Sequence, residues 1–446
     1  MSLTTSGTFI ALRYREPTTE PRAFSVMFDQ SEPVILCIAS FFKGNEFIRE
    51  CRRQGVPTVL LTREKLLEAA WARECIDGFF AVPGEANARS YLLAATNVAR
   101  HRRIVRVVAL EEYDVATAAH IREHLCIPGM DSTSAMRFQD KLVMRFHAES
   151  FGTPQPAFVS LINYQSLAKF MGEVEPPWML KPRIGASSMG IRKVHTAEEV
   201  WRAVEELDRR ENYYEQSPYY LLEQHVTGDV YHVDSLVHEG RLVFANVERN
   251  GAPPFEVAHF GGVTTSQRIP CDAAERTGLL ELNEKLLHDF HFQHGVTHAE
   301  YIHPAHRQTT GTAPLDFCFL EVAARVGGAY TAETIEAATG IELWREWARI
   351  ELSSPGRPYV PPQTRNDYSG IAIALARQEH PDTSGYTDPE IVYRVQKRWH
   401  VGLIVCSRNH DRVQQLLAEY VQRFNQEFTA FCPAEETPEY YLKNPA

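Results

Sequence analysis

Short apolar runs separated by helix-length polar segments organise the first third of the chain. Residues 34–40 (V-I-L-C-I-A-S) are apolar without interruption, the pattern of a strand buried on both faces. E-F-I-R-E-C-R-R-Q (46–54) then has helical spacing and stops at Gly55. A second strand is expected at 56–62 (V-P-T-V-L-L-T), a third at 77–82 (D-G-F-F-A-V) and a fourth at 104–110 (I-V-R-V-V-A-L), with a helix around 88–101 between the last two. E-E-Y-D-V-A-T-A-A-H-I-R-E-H-L (111–125) reads as one helix ended by I-P-G (127–129). Strands alternating with helices over short connections predict an open, mostly parallel α/β sheet.

The texture changes near residue 131. Residues 132–150 read as helical and contain Asp140 and Lys141, after which Pro154 and Pro156 break the pattern. P-P-W-M-L (176–180) leads into Lys181 and a loop of small residues, Gly185 to Gly190, followed by a charged helix at 197–211 and a strand at 219–223. Alternation over 230–248 with H-E-G (238–240) at its centre predicts a hairpin. A long helix (273–291) precedes strands near 296–302 and 316–323, and P-G-R-P with P-P marks a linker-like stretch at 355–362. Strands and one helix (410–428) complete the chain, which has no internal repeat.

With 446 residues the chain is too long for one core, and about three domains are expected at roughly 100–200 residues each. Its 44% hydrophobic and 23% charged residues are those of an ordinary globular protein. A formal charge of −11 argues against general affinity for nucleic acid or anionic membrane, while leaving room for a local basic pocket. The eight cysteines form no C-x-x-C pair, which points to reduced thiols. No apolar stretch approaches the ~20 residues of a spanning helix. The N-terminal M-S-L-T-T-S-G lacks a signal-peptide pattern, so a cytoplasmic location is expected.

Three features carry candidate chemistry. In Lys181-Pro-Arg-Ile-Gly185-Ala-Ser187-Ser188-Met-Gly190-Ile, small side chains let backbone N–H groups approach a phosphate. Ile191-Arg192 stands where the common phosphate loop needs Lys-Ser/Thr, so that motif is excluded. Glu300, in T-H-A-E-Y-I, and Glu321, in F-C-F-L-E-V-A-A-R-V-G-G, lie on successive strands. A carboxylate buried alone is costly, so such a pair suits magnesium completed by water and phosphate oxygens. A structural Glu321–Arg325 ion pair is the plainer alternative. The third feature, L-L-E-Q-H-V-T-G-D (221–229), is a strand end that could present backbone groups to a flat ring. His298-Ala-Glu300 matches the H-x-E of zinc deaminases, but no P-C-x-x-C follows and zinc is excluded.

The order of these motifs closely resembles the ATP-grasp superfamily, and more narrowly its carboxylate–amine ligases, including amino-acid (dipeptide) ligases. The resemblance runs from the N-terminal sheet through Q-D-K-L-V-M-R to about residue 350. It implies a Rossmann-like N-terminal domain (1–130), an ATP-grasp domain of two α+β subdomains (131–352, with a flap at about 141–220) and a small C-terminal α+β unit (353–446). Lys141 and Lys181 would contact ATP phosphates, with Lys181 also catalytic, and Gly185, Ser187, Ser188 and Gly190 would close over them. Glu223 and Val226 would mark the adenine-binding strand, with Asp229 the candidate for the ribose although the family often has a glutamate where Val230 stands. Glu300 and Glu321 would hold magnesium (or manganese). Arg325, as catalytic group, with Gly327 and Gly328 would hold the substrate carboxylate or its acyl phosphate, and Ala329 and Tyr330 would line the acceptor pocket. His259 and Arg268 are further candidates on the substrate side, His259 having the alternative of a satisfied structural histidine. Ala323 replaces the family's asparagine, so a second magnesium would use water, another side chain or a bridging Glu321.

By this resemblance the expected reaction joins a carboxylate to an amine, with small-molecule substrates (amino acids foremost) and a homodimer as the family-level assembly. A carboxylase that activates bicarbonate, or a non-catalytic ATP-binding protein, are the alternatives.

Overall fold

The computed structural model describes residues 32–83, 87–209, 219–305 and 317–432. The expected termini at 1–31 and 433–446, the helix end at 210–211 and strand residue 316 lie outside the described residues. The described residues divide into two compact units, one formed by those from 32 to 135 with 347–359 and the other by those from 136 to 346 with 360–432.

In the first unit, β1 (Pro33–Ala39), β2 (Thr58–Arg63), β3 (Gly78–Val82) and β4 (Arg103–Ala109) form a sheet of order β3-β2-β1-β4. Every pair in it is parallel. The helices are α1 (Asn45–Arg53), α2 (Ala88–Ala99), α3 (Val115–Leu125) and the short α4 (Ser132–Met136). Burial on both faces explains the unbroken apolar run of β1, whose last six residues are fully enclosed. The helix expected at 111–125 starts later, because a tight turn at Glu112–Asp114 brings the Asp114 carboxylate 2.7 Å from the Ser40 amide. Residues 347–359 complete the unit, with Trp347 edge-on to Phe47 and Arg349 2.8 Å from buried Glu50.

The second unit holds two sheets. The smaller joins β5 (Phe158–Ser160), β6 (Trp178–Pro182), β7 (Arg192–Val194) and β8 (Tyr220–Gln224) in the order β5-β8-β6-β7. Its apolar side packs on α6 (Tyr164–Glu173) and α7 (Ala197–Arg209) through Leu167, Phe170, Leu180, Val200, Val204 and Leu222. Ahead of it, α5 (Lys141–Ser150) is separate from α4, whereas the sequence reads as one helix. Asp140 divides them by adopting extended backbone and accepting from the Leu142 and Val143 amides as the α5 N-cap.

The larger sheet is eight-stranded and antiparallel at every pairing. It is built from β9 (Gly228–His238), β10 (Arg241–Asn250), β11 (Thr264–Arg268), β12 (Gly295–Pro304), β13 (Cys318–Ala323), β14 (Tyr368–Leu375), β15 (Ile391–Arg394) and β16 (His400–Ser407). Their order is β13-β12-β9-β10-β11-β14-β16-β15. Helices α8 (Pro254–Phe260), α9 (Ala274–Asp289), α10 (Thr331–Thr339), α11 (Leu343–Glu351) and α12 (His410–Glu427) connect or cover it, and residues 347–351 of α11 count with the first unit. The β9–β10 hairpin turns through Glu239 and Gly240 in left-handed conformation, where the H-E-G signal placed it. The strands expected as a separate C-terminal unit continue this sheet, because β11 pairs with β14 from Thr264↔Ile373 to Gln267↔Gly370. Helix α12 seals their far face with Val413, Leu416, Tyr420 and Phe424. Among the described residues, no helix is long and apolar enough to cross a membrane.

Candidate active site

A cleft of about 440 Å³ opens in the second unit, bounded by strands of both sheets and by the loop from Gly185 to Met189. Strands deliver its charged groups: Lys181 from β6, Glu223 from β8, Glu300 from β12 and Glu321 from β13, with Lys141 at the first turn of α5. Lys141 Nζ lies 2.7 Å from the Gly185 carbonyl and 3.0 Å from Glu321 Oε2, joining α5, the small-residue loop and β13. Lys181 Nζ lies 2.6 Å from Glu223 Oε2.

Glu223 is spent between two cations, since Arg145 Nε lies 2.7 Å from its other oxygen. Burial opposes ionisation, yet Arg145 and Lys181 hold the Glu223 carboxyl down at about 2. Arg145, only 1% exposed, also donates to the Phe319 and Leu320 carbonyls at 3.3 and 2.6 Å. It thereby fixes β13 just before Glu321. Sequence reading passed over Arg145; its signal was its place one helical turn after Lys141 on a face of buried residues. Glu321 is likewise held below the usual carboxylate range: burial pushes it up, but Lys141, then Lys181 and Arg325, outweigh that.

The ladder register sets these groups in rows across the large sheet. Glu300 faces Glu321 on one side and His232 on the other; His232 faces Glu248, which faces Arg268. One pleat along, His298 lies between Ala323 and Asp234, and Asp234 also faces Asn246. Asp234 receives His298 Nδ1 at 2.8 Å on one oxygen and His232 Nδ1 at 2.7 Å on the other. His232 Nε2 meets Ser266 Oγ at 2.8 Å, and that hydroxyl donates to Glu248 at 2.8 Å. Burial disfavours charge on Asp234, but the two imidazoles hold its carboxyl well below the usual range. Burial also opposes charge on His298, and Asp234 with Glu300 more than compensates, raising it to about 10. This network was missed in the sequence. Its trace is a polar residue at alternate positions within apolar strands, H-V-D (232–234), N-V-E (246–248) and H-A-E (298–300), beside the wholly polar strand T-T-S-Q-R (264–268).

Other expected site residues divide into those at the cleft and those turned away. Gly185, Ser187, Ser188 and Val226 line it, and Gly190 sits at the loop's end with φ 70°. Ser187 and Ser188 both have φ 57°, a conformation that costs a side chain free energy and marks a specialised loop. Asp229 does not line the cleft: Gly228 and Val230 do, and the pleat turns the intervening side chain outward, where it pairs with Arg249 at 2.8 Å. His259 sits on α8 with its ring nitrogens 3.0 Å from the Phe255 carbonyl and 2.9 Å from the Ile191 carbonyl, so it ties α8 to the end of the loop just before β7. Arg268 is buried and donates to the Asp367 carbonyl at 2.7 Å, linking β11 to the segment before β14 and not lining the cleft. Arg325 follows β13, donates to the Val326 carbonyl at 3.0 Å and acts electrostatically on Glu321. Gly327 crosses Asp234 and His298 closely, the Gly328 carbonyl accepts from Thr331 at the start of α10, and Ala329 and Tyr330 bend the chain with φ 51° and 63°.

The donor set fits a hard divalent cation. Glu300 and Glu321 stand opposite each other in register, both in the cleft lining and with side chains 25% and 34% exposed. Two such oxygen donors suit magnesium, whose remaining positions go to water and phosphate oxygens. Lysines on the same cleft complement a polyanion. The site can bring phosphate oxygens, a metal and a second anion together under a glycine-bounded loop.

Residues 174–331 match the ATP-grasp domain. An L-arginine-specific L-amino acid ligase of Bacillus subtilis is 21% identical over 347 residues, covering 71% of this chain and 79% of that protein. The crystal structure of an L-amino acid ligase from Bacillus licheniformis superposes with a TM-score of 0.68 at 15% identity, over 89% of this chain and 98% of that one. An N5-carboxyaminoimidazole ribonucleotide synthetase from Thermus thermophilus gives 0.65 at 16% identity, over 90% and 100%. Residues 174–331 thus carry the match to the ATP-grasp domain, and the chain shares its fold with these two structures.

Proposed function

We propose that this chain is an ATP-dependent carboxylate–amine ligase that activates an acid as its acyl phosphate and takes amino acids as substrates. The observation that carries the reading is the placement of Lys141 and Lys181 in one cleft with the facing carboxylates Glu300 and Glu321, beneath the loop 185–190. Similarity to L-amino acid ligases supports the amino-acid substrate class.

A carboxylate resists attack by an amine because it is anionic and has no good leaving group. One of its oxygens attacks the γ-phosphorus of ATP, the bond to the β-phosphate oxygen breaks, and ADP leaves. The amine nitrogen then attacks the carbonyl carbon, its proton is lost to a base, and inorganic phosphate departs with its bonding electrons. Two anions must meet in the first step, so fixed positive charge in a water-poor site lowers the barrier most. Lys141 and Lys181 supply that charge to the phosphates, and Arg325 supplies it to the acid. A divalent cation held by Glu300 and Glu321 would neutralise charge on the phosphate oxygens. The loop 185–190 covers the phosphates and keeps water from the acyl phosphate.

The test is phosphate release from ATP and magnesium across pooled amino acids and small carboxylates, with mass analysis of each positive pool. The expected result is release that needs two substrates, a product lighter than their sum by one water, and no turnover by a folded Glu321→Ala variant. Turnover that depends on bicarbonate would replace this reading with a carboxylase. Full activity of Glu321→Ala would remove the metal role.

A further inference from the structure

Glu300 and His298 leave the same face of β12, two residues apart. His298 Nε2 lies 3.5 Å from Glu300 Oε1, while its Nδ1 is anchored 2.8 Å from Asp234 Oδ1. Asp234 is 0% exposed, and its second oxygen is fixed by His232 at 2.7 Å. An imidazole tied at one nitrogen to a buried carboxylate presents its other nitrogen in a set direction. Here that direction is the Glu300 carboxylate. Two neighbours leave the ring its space. Ala323, across the ladder from His298, presents only a methyl group. At Gly327, an added Cβ would come within 2.8 Å of His298 Nδ1 and 3.0 Å of Asp234 Oδ1.

His232, Asp234 and His298 also bring three ligand atoms within 4.8 Å of one another, the density of a metal site. Both Asp234 oxygens are already engaged by imidazole nitrogens, however, and neither Asp234 nor His298 lines the cleft. The arrangement serves orientation.

We propose that Asp234 and His298 form a positioning pair that aims the Glu300 carboxylate at a divalent cation shared with Glu321. This inference rests on the reading of Glu300 and Glu321 as metal-binding carboxylates. Partners of this kind fix a ligand's direction, and their loss typically costs about 10–100-fold in metal affinity.

The experiment is Mn2+ titration of the full chain with saturating ADP, followed by electron paramagnetic resonance. ADP affinity without metal and the thermal midpoint are measured alongside. His298→Asn keeps a group able to reach Asp234 but removes the nitrogen that faces Glu300. The expected result is Mn2+ binding weakened about tenfold or more, with metal-free ADP affinity and fold retained. Asp234→Asn, nearly isosteric, is expected to weaken Mn2+ similarly and serves if the first variant does not fold. Wild-type Mn2+ affinity in either folded variant, with Glu321→Gln losing it, overturns the positioning role alone. Wild-type Mn2+ affinity in Glu300→Gln and Glu321→Gln overturns the metal reading itself, and the positioning role with it.

Discussion

Glu223 lies between Arg145 and Lys181 at 2.7 and 2.6 Å, so it ties α5 to strands β8 and β6 of the smaller sheet. Removing it strands a buried guanidinium, and breaking a buried pair in this way typically costs about 3–5 kcal/mol. Glu223→Ala is therefore expected to lower unfolding free energy by about that amount at pH 7, read by chemical denaturation. The pH dependence has a definite sign. The folded carboxyl is held at about 2 and an unfolded glutamate titrates near its ordinary value, about 4.3. The stabilisation is complete above that ordinary value and disappears as pH falls through the folded one. The gap between wild type and Glu223→Ala should close over that window. In the sequence Glu223 stood out only through the resemblance, which implied an adenine-binding strand there. Its service as a buried anion between two cations was not legible, because Arg145 stands far from it in the chain.

At the scale of elements, regular strands and their alternation decide which side chains line the cleft. The pleat sends Asp229 outward to Arg249 and its neighbours Gly228 and Val230 into the cleft. Gly228 has a tighter constraint, since a Cβ there would lie 2.0 Å from the His303 carbonyl oxygen and 2.9 Å from Pro304 Cα. Both atoms belong to the backbone of the paired strand β12, which cannot swing aside as a side chain could. Gly228→Ala is thus expected to cost at least about 1–3 kcal/mol, the usual penalty of overpacking, and to weaken ATP binding by spreading the start of β9 from β12. A stability curve with nucleotide titration checks both; wild-type values in each would show that the strands separate freely.

On the scale of the whole molecule, two compact units are assembled from non-consecutive segments, and residues 347–359 return to the first. Trp347 packs on Phe47, and Arg349 reaches the buried Glu50. A fragment ending at residue 135 would lack these contacts and expose Phe47. It is expected to show reduced helicity, rapid proteolysis or aggregation, whereas the full chain protects the same region. A stable, cooperatively folded fragment would mean that the returning segment adds nothing to this core.

The sequence by itself determined part of the local structure. The unbroken apolar run at 34–40 marked the buried strand β1, H-E-G marked the hairpin turn, and Lys181 with the small-residue loop after it, Glu300 and Glu321 were legible as candidates that line one cleft. These features depend on backbone preference and on spacing of a few residues, which a linear string records directly. Only the tertiary structure decided that Asp140 caps α5 and so splits a continuous helical pattern, and that β11 pairs with β14 to carry the sheet into the C-terminal strands. It alone decided that His298, Asp234, His232, Ser266 and Glu248 meet. Those residues come from four strands, and their contacts depend on ladder register. One residue of slip would send every one of these side chains to the opposite face. The alternation that hints at such a network is written in each strand, but its register exists only once the strands have paired.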